Sequence, residues 1–571
     1  MNHPVNSWIP RIRSRIQLTL VAAALLALIL LIYRLSGDAI FNDPMVEARS
    51  QHGQTFWDTT REKTIVGMST QGSRHSATFA MESVSSLGPQ RIIHLDLKGA
   101  PPRVSYFAEL FPLLHKLGAT GLLIEYEDMF PFWGPLADLP AFNCYSKADI
   151  SEIVKLAVRN HLDVIPLIQT FGHLEFVLKL RSHSKLREVY KYPQAICPSH
   201  NATFPLLSAM VEQVLQLHPH SKRLHIGCDE VYQLGDCPRC VSAMGQERWG
   251  KVDLFLSHVS RVAGLVAARG VKPLVWDDEL RRATPEQLRA WGLPGLVTPV
   301  VWKYTPDVAQ QLPVELWSKL AESNLHPVLA ATAFKGATGP DQDIPDVNYH
   351  LENHRSWSQV ATLAKRDFGV EFLGVILTGW QRYDHFAVLC ELLPTAIPSL
   401  AANLALLAGA DGDLEALSKA RTALGCQGNI EMLSRLPSIG LRCNFPGSEV
   451  LEVVARLKAL KKDLAKLEAE PTVRGWMSHY NLEHVFSNPV HVEHATAELD
   501  RCRVELQYIE RDMRSAMSTV YDRYTADEWV KSFVEPIAAK LQQMWEGREK
   551  LLNKDEWPRR PLDIMSEKDR K

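Results

Sequence analysis

LHIGCDEVY, at residues 224–232, is a short apolar run that ends in two adjacent carboxylates, Asp229 and Glu230. An apolar run bounded in this way predicts a buried parallel strand, with the acids placed where the strand leaves the core. Neighbouring side chains at a strand end point to different sides of the backbone, so one acid can address a leaving oxygen while the other contacts another substituent. The alternative is a solvated acidic pair in a turn, since the chain has 65 Asp and Glu residues.

Working outward, runs of the same kind alternate with amphipathic helical stretches from residue 91 onward. The predicted strands are 91–97, 121–126, 162–168, 223–229, 271–277, 296–302, 326–332 and 372–378. Eight β/α units in roughly 300 residues predict a (β/α)8 TIM barrel, of class α/β, rather than an open doubly wound sheet. No glycine-rich phosphate loop follows the first strand, which argues against nucleotide binding.

Acidic and aromatic side chains recur at the predicted strand ends, which converge on one face of such a barrel. The candidates are Asp96, His173, Asp229, Glu230, Trp276, Trp302, Tyr304, Trp380, Tyr383 and Asp384. Aromatic faces stack on the C–H surfaces of sugar rings, and carboxylates accept hydrogen bonds from hydroxyls. The pattern therefore predicts a carbohydrate site, although a single Trp is more often a core residue.

Longer motifs carry a family resemblance. The stretches HIGCDE (225–230), WDD (276–278) and TGW (378–380) resemble those of the family-20 glycoside hydrolases, the β-N-acetylhexosaminidases. LDLKGAPP (95–102), LIEYEDMFP (123–131), QTFGH (169–173) and GWQRYDH (379–385) extend the resemblance over residues 91–403. Better-known members carry an arginine at the first strand end, where this chain has Lys98, and this difference leaves the choice between gluco and galacto epimers open.

The resemblance implies removal of terminal β-linked N-acetylgalactosamine or N-acetylglucosamine by substrate-assisted, retaining hydrolysis, with no cofactor and no metal. The sugar's own acetamido oxygen attacks the anomeric carbon, Glu230 acts as general acid and base, and Asp229 orients the acetamido group. The remaining candidates are implied to bind substrate: Trp276, Trp302, Trp380 and Tyr304 around the acetamido pocket, His173 beside the acid, Asp96 and Asp384 on ring hydroxyls, and Tyr383 as a further substrate-binding residue. As a partner this implies the terminal N-acetylhexosamine of a glycoconjugate.

The first ninety residues predict a different kind of segment. Three arginines precede an uncharged, mostly apolar run at residues 16–33, which spans roughly 27 Å as a helix, close to the ~30 Å hydrocarbon core. We expect a cytoplasmic tail (1–15), a transmembrane signal anchor (16–33) and a polar stem (34–90), hence a type II membrane protein with a lumenal catalytic domain in the secretory pathway. A cleaved signal peptide, a core helix and a soluble intracellular protein are the alternatives. The triplet NAT at 201–203 is a glycosylation acceptor consistent with the lumenal expectation.

The catalytic barrel is predicted over 91–405, and amphipathic helices over 406–571 predict an accessory bundle or, alternatively, a homodimer contact. A net charge of −2 gives no basic field for nucleic acid. Cys237 and Cys240 form a lone C-x-x-C, and without a second such motif a local disulfide or two thiols are favoured over zinc. Two other functions stay open: a type II glycosyltransferase with a metal-binding DxD motif, at 341–343 or 411–413, and a catalytically silent glycan-binding protein.

Overall fold

The computed structural model describes residues 84–428 and 441–562. Its strands are β1 (Gln90–Asp96), β2 (Gly121–Glu125), β3 (Asp163–Leu167), β4 (Arg187–Val189), β5 (Tyr192–Ile196), β6 (Arg223–His225), β7 (Lys272–Trp276), β8 (Thr298–Trp302), β9 (Val328–Lys335) and β10 (Phe372–Gly379). Strands β4 and β5 form a small antiparallel hairpin. The other eight close into a parallel barrel in chain order, with β10 paired to β1. The predicted barrel and its eight strands are confirmed.

Alternate strand residues fill the inside of the barrel. Ile92, Ile165, Leu274 and Leu329 are buried in an interior cluster that ends in Trp276. The neighbouring residues on each strand point outward and pack under the surrounding helices, as the two-residue period of a strand requires. The interior is therefore a packed core, and chemistry is left to the loops that follow the strands.

Helices cover the outside of the barrel and form the C-terminal region. They are α1 (Val104–Lys116), α2 (Lys147–Arg159), α3 (Glu175–Leu178), α4 (Thr203–Leu217), α5 (Pro238–Glu247), α6 (Lys251–Ala267), α7 (Pro285–Ala290), α8 (Val308–Gln311), α9 (Val314–Glu322), α10 (Val347–Phe368), α11 (Leu393–Leu407), α12 (Asp413–Ala423), α13 (Ser448–Ala469), α14 (Pro471–Trp476), α15 (His479–His484), α16 (Pro489–Ala495), α17 (Leu499–Val520), α18 (Arg523–Trp529) and α19 (Glu535–Leu552). Local sequence explains several starts: α2 begins at a capping box in which Ser146 and Asp149 satisfy each other's amides.

The C-terminal helices pack on each other and on the barrel. The predicted apolar stripes of α13 and α17 are buried within the chain, so intrachain packing accounts for the pattern that also suggested a dimer contact. Where α17 ends, the amide of Arg103 donates to the carbonyl of Val520 at 2.7 Å. The helical C-terminal region is confirmed, while the boundary predicted at 405/406 stays a prediction.

One link ties the C-terminal helices to the loop after β10. The guanidinium of Arg382 donates to both carboxylate oxygens of Glu528 in α18, at 2.5 and 2.6 Å. Its Nε also donates to the carbonyl of Lys98, after β1, at 2.9 Å. A bidentate pair with a buried guanidinium fixes the loop geometrically as well as electrostatically.

The predicted tail, anchor and most of the stem lie outside the described residues. Among the helices within 84–428 and 441–562, none has the length and apolar character needed to cross a membrane.

Candidate active site

A cavity of about 250 Å³ opens among the loops that follow the barrel strands. It is lined by Lys98, Gln169, His173, Asp229, Glu230, Trp276, Trp302, Tyr304, Gly336, Ala337, Trp380 and Tyr383. Eight of the ten residues predicted from strand ends are therefore brought together. Asp96 and Asp384 are not among the lining residues.

The two acids are presented by irregular backbone. The sequence predicted that the fourth barrel strand runs to Asp229, but β6 ends at His225. Gly227, Cys228 and Glu230 then take left-handed backbone angles, with φ of 67°, 71° and 45°. For residues with a Cβ this conformation costs of the order of 1–3 kcal/mol and persists only where the surroundings hold it. One such support is the amide of Glu230, which donates to Asp278 Oδ2 at 2.9 Å.

Glycine is required at two places where this loop is tightly packed. A Cβ on Gly227 would lie 1.9 Å from Oε1 of Gln169, and one on Gly172 would lie 2.3 Å from the carbonyl oxygen of Asp229. Both distances are far below van der Waals contact. The close approach of these segments holds Asp229 and His173 side by side.

We expect Gly172→Ala to lower the free energy of unfolding by about 1–3 kcal/mol, because the added methyl overpacks against the backbone of Asp229. Gly264→Ala is the matched control: Gly264 lies inside α6 and a Cβ there meets nothing within 4 Å. That control should raise the stability by about 0.5–1 kcal/mol through helix propensity. Urea denaturation of both variants measures the difference, and equal stabilities would contradict the packing argument.

His173 bridges the two acids. Its Nε2 lies 3.2 Å from Oε2 of Glu230 and 3.6 Å from Oδ2 of Asp229. The other oxygen of Asp229, Oδ1, is buried and finds no hydrogen-bond partner among the described residues. Buried polar atoms are normally paired, so an unpaired carboxylate oxygen at a cavity wall is placed to accept a donor from a bound molecule.

Burial and mutual charge set the protonation of this trio. Burial raises the pKa of Asp229 to about 7, against the opposing charge of His173. Burial also raises the pKa of Glu230, but the hydrogen bond and charge of His173 outweigh it and bring that pKa below its ordinary value. The imidazole of His173 loses solvation on burial, yet the charges of Asp229 and its neighbours raise its pKa well above the usual value. In the free site the carboxyl proton is therefore held more firmly at Asp229 than at Glu230.

Aromatic rings form the rest of the wall. The ring centroids of Trp302 and Tyr304 stack 5.3 Å apart, and Tyr304 meets Trp380 edge-on at 6.4 Å. The indole Nε1 of Trp302 donates to Oδ1 of Asp278 at 3.1 Å, so one carboxylate fixes both a wall residue and the amide of Glu230. Burial raises the pKa of the Tyr304 hydroxyl well above its usual value, which keeps it a hydrogen-bond donor.

Lys98 and Gln169 line the cavity but were not among the predicted candidates. The ammonium of Lys98 is 3.1 Å from Asp96 and 3.3 Å from Glu125, and it lies 5.0 Å from the ring centroid of Trp380. Gln169 donates to Glu125 at 3.3 Å. Their position after β1 and β3 was readable from the sequence, but nothing in the residue type separates a cavity lysine from a surface one.

Asp96 and Asp384 were predicted to contact sugar hydroxyls, and neither is among the residues that line the cavity. Its Oδ2 accepts the amide of Gln381 at 2.8 Å and the ammonium of Lys98, while Oδ1 accepts the amide of Lys98 at 3.0 Å. Oδ2 thus holds the loop after β10, and Oδ1 holds the backbone directly after β1. Asp384 accepts the amide of Phe386 at 2.7 Å, outside the cavity wall.

The DxD motifs that suggested a glycosyltransferase are engaged elsewhere. Asp343 pairs with Lys461 at 2.9 Å and Asp413 with Arg355 at 3.0 Å, and neither aspartate lines the cavity. The arrangement does not favour that alternative.

Comparison of the sequence with known proteins supports the family that the motifs resemble. A family model described as the catalytic domain of glycosyl hydrolase family 20 matches residues 108–327. Hexosaminidase D of Homo sapiens is 44% identical over 459 residues, covering 80% of this chain and 93% of the relative. Hexosaminidase D of Bos taurus is 46% identical over 347 residues, covering 60% of this chain and 99% of the relative. A solved β-N-acetylhexosaminidase from Bacteroides fragilis NCTC 9343 is 18% identical, with a TM-score of 0.45 over 56% of this chain and 66% of that one.

Proposed function

The chain belongs to glycosyl hydrolase family 20 and is a glycoside hydrolase of the β-N-acetylhexosaminidase type, and we propose that it removes terminal β-linked N-acetylgalactosamine or N-acetylglucosamine with retention of configuration. One observation carries the proposal. The adjacent acids Asp229 and Glu230 share a histidine at the wall of a cavity lined by indole rings, and one oxygen of Asp229 is left unpaired.

In the proposed first step the acetamido carbonyl oxygen attacks the anomeric carbon while the glycosidic bond breaks. Glu230 gives its proton to the departing oxygen. The unpaired Oδ1 of Asp229 accepts the acetamido N–H and stabilises the positive charge that develops on the cyclic intermediate. In the second step Glu230 takes a proton from a water molecule. The oxygen of that water attacks the anomeric carbon and opens the ring of the cyclic intermediate. Two displacements on one carbon leave the configuration unchanged.

The size of the cavity supports action on chain ends. Pockets that enclose drug-sized ligands measure about 300–1,000 Å³, so a cavity of about 250 Å³ suits one terminal sugar better than an internal segment of a glycan. In this proposal Tyr304 donates to the acetamido carbonyl, and Trp276, Trp302 and Trp380, which line the same cavity, enclose the methyl group of the acetamido group.

This mechanism needs the proton on Glu230, whereas the free site holds it more firmly at Asp229. Substrate resolves the difference, because the acetamido N–H favours an ionised Asp229 and the sugar shields Glu230 from water. Activity requires one carboxyl proton on the pair, whichever acid holds it in the free enzyme. We therefore expect kcat/KM to fall as the pH rises through about 7, where the pair loses that proton.

His173→Gln tests the electrostatic part of this account. The imidazolium lowers the pKa of both acids, so removing its charge should raise both and move the alkaline limb of kcat/KM to higher pH. A pH profile with a chromogenic N-acetylhexosaminide measures the shift. A limb that stays in place, or moves to lower pH, would show that His173 does not set the protonation of the pair.

The proposed reaction is tested by following the anomeric protons of the product by NMR. The β-anomer of the free sugar should appear first and equilibrate later, and the α-anomer appearing first would exclude two displacements. Parallel rates on galacto and gluco substrates then decide which epimer the site with Lys98 prefers.

A further inference from the structure

Three buried thiols and a carboxylate meet beside the hairpin of β4 and β5. The group consists of Glu188 in β4, Cys197 directly after β5, and Cys237 and Cys240 at the start of α5. Each of the four is at most 7% exposed, and one ligand atom from each lies within 4.8 Å of the others. This cluster takes no part in the proposed hydrolysis.

The spacing of the sulfurs does not fit a disulfide. Cys197 Sγ lies 3.4 Å from that of Cys237 and 3.5 Å from that of Cys240, whereas bonded sulfurs are about 2.05 Å apart. Ligands at a tetrahedral zinc ion with Zn–S of about 2.3 Å are about 3.8 Å apart. A shift of a few tenths of an ångström would bring the Cys197 sulfur to that separation from each of the other two.

Hydrogen bonds hold the ligand atoms of this cluster in place. Cys237 is the N-cap of α5, and its sulfur accepts the amide of Cys240 at 3.4 Å, at the positive end of the helix. Glu188 Oε1 accepts the amides of Asp236 and Cys237 at 2.7 and 2.9 Å. Its other oxygen, Oε2, faces the Cys240 sulfur at 3.1 Å. One carboxylate oxygen thus holds the loop while the second is aimed into the cluster.

We propose that Cys197, Cys237, Cys240 and Oε2 of Glu188 form a structural zinc site. Binding releases the three thiol protons to solvent, and soft thiolate ligands with one carboxylate suit Zn²⁺. Four protein ligands close the coordination sphere, as in structural rather than catalytic zinc sites. The sequence argued against zinc because it offered one C-x-x-C, and the other two ligands come from positions 40 or more residues earlier, across the fold.

The site would join the loop that carries His173 to the loop that carries Asp229 and Glu230. The catalytic importance of this link rests on the proposed function. Gln194, in β5, donates to the carbonyl of Glu230 at 2.7 Å and accepts the amide of Leu174 at 3.0 Å. Fixing Cys197 to Cys237 and Cys240 therefore fixes the loop before the hairpin to the loop that carries Glu230. Zinc binding itself can be measured without any hydrolytic activity.

The test begins with the full chain purified in the presence of Zn²⁺ and a non-chelating reductant. Elemental analysis should find one zinc per chain after gel filtration. Replacement by Co²⁺ should give thiolate-to-cobalt charge-transfer absorption and the visible bands of a tetrahedral ion. A chain that holds no zinc under these conditions, or a cobalt form without the thiolate band, overturns the proposal.

Variants assign the ligands. Cys197→Ser should abolish zinc retention, while Cys502→Ser, an equally buried cysteine in α17, should keep one zinc per chain. Glu188→Gln preserves an oxygen for the two loop amides and should weaken zinc about 10- to 100-fold in a chelator competition. If Cys197→Ser proves unfolded, this milder variant decides the question. Unchanged affinity in Glu188→Gln excludes the carboxylate ligand, and equal zinc content in Cys197→Ser and wild type excludes the site.

Discussion

Glu230→Gln is expected to lower kcat by about 10²–10⁴-fold, the range of effects of general acid–base groups, with little change in KM. The amide fills the space of the acid but cannot supply a proton to the departing oxygen. The loss should be larger for an alkyl glycoside than for a nitrophenyl glycoside, because a nitrophenolate leaves without being protonated. Steady-state kinetics on the two substrates measure both effects.

Glu212→Gln serves as the control, since Glu212 is exposed on α4 and pairs with Arg269 at 2.7 Å. It should leave both rates at the wild-type level. Equal losses on the two leaving groups in the Glu230 variant would show that this residue does not protonate the glycosidic oxygen.

Asp229→Asn is expected to reduce kcat by about 10²–10³-fold, because the charge that faces the developing cyclic cation is removed from a buried position. The effect should depend on the acetamido group. Wild type should hydrolyse a 2-acetamido glycoside far faster than its 2-hydroxy analogue, and the variant should lose most of that preference.

Asp500→Asn, on the exposed face of α17, is the matched control and should retain the preference. A wild-type enzyme that accepts the 2-hydroxy analogue as readily as the acetamido substrate would rule out attack by the substrate's own carbonyl oxygen.

The barrel was readable from the sequence because each of its strands is a short apolar run followed by a helical period. The end of β6 could not be read from the sequence. After the strand, Gly227, Cys228 and Glu230 have left-handed backbone angles that only tertiary packing selects. The hairpin of β4 and β5 was not predicted either. Its strands are short and polar, so no two-residue apolar alternation marks them.

The acids and the indole rings of the site were predictable because they stand at strand ends, where a barrel gathers its chemistry. Roles that depend on hydrogen-bond partners far away in the sequence were not predictable. The sequence could not show that the carboxylate of Asp96 accepts the amide of Gln381, which lies 285 positions later. Asp278 was not predicted as a site residue. Its carboxylate accepts hydrogen bonds from Trp302 and from the amide of Glu230, and nothing in the local sequence indicates either bond.

The pair between Arg382 and Glu528 has a practical meaning for anyone trimming this chain. A fragment cut at residue 405 would keep every barrel strand. The guanidinium of Arg382, two residues after the wall residue Trp380, would then lack the carboxylate of Glu528. The loop after β10, which carries Trp380 and Tyr383, would then lose its bidentate link to α18. The smallest piece worth expressing therefore extends through α18, well past the last β/α unit.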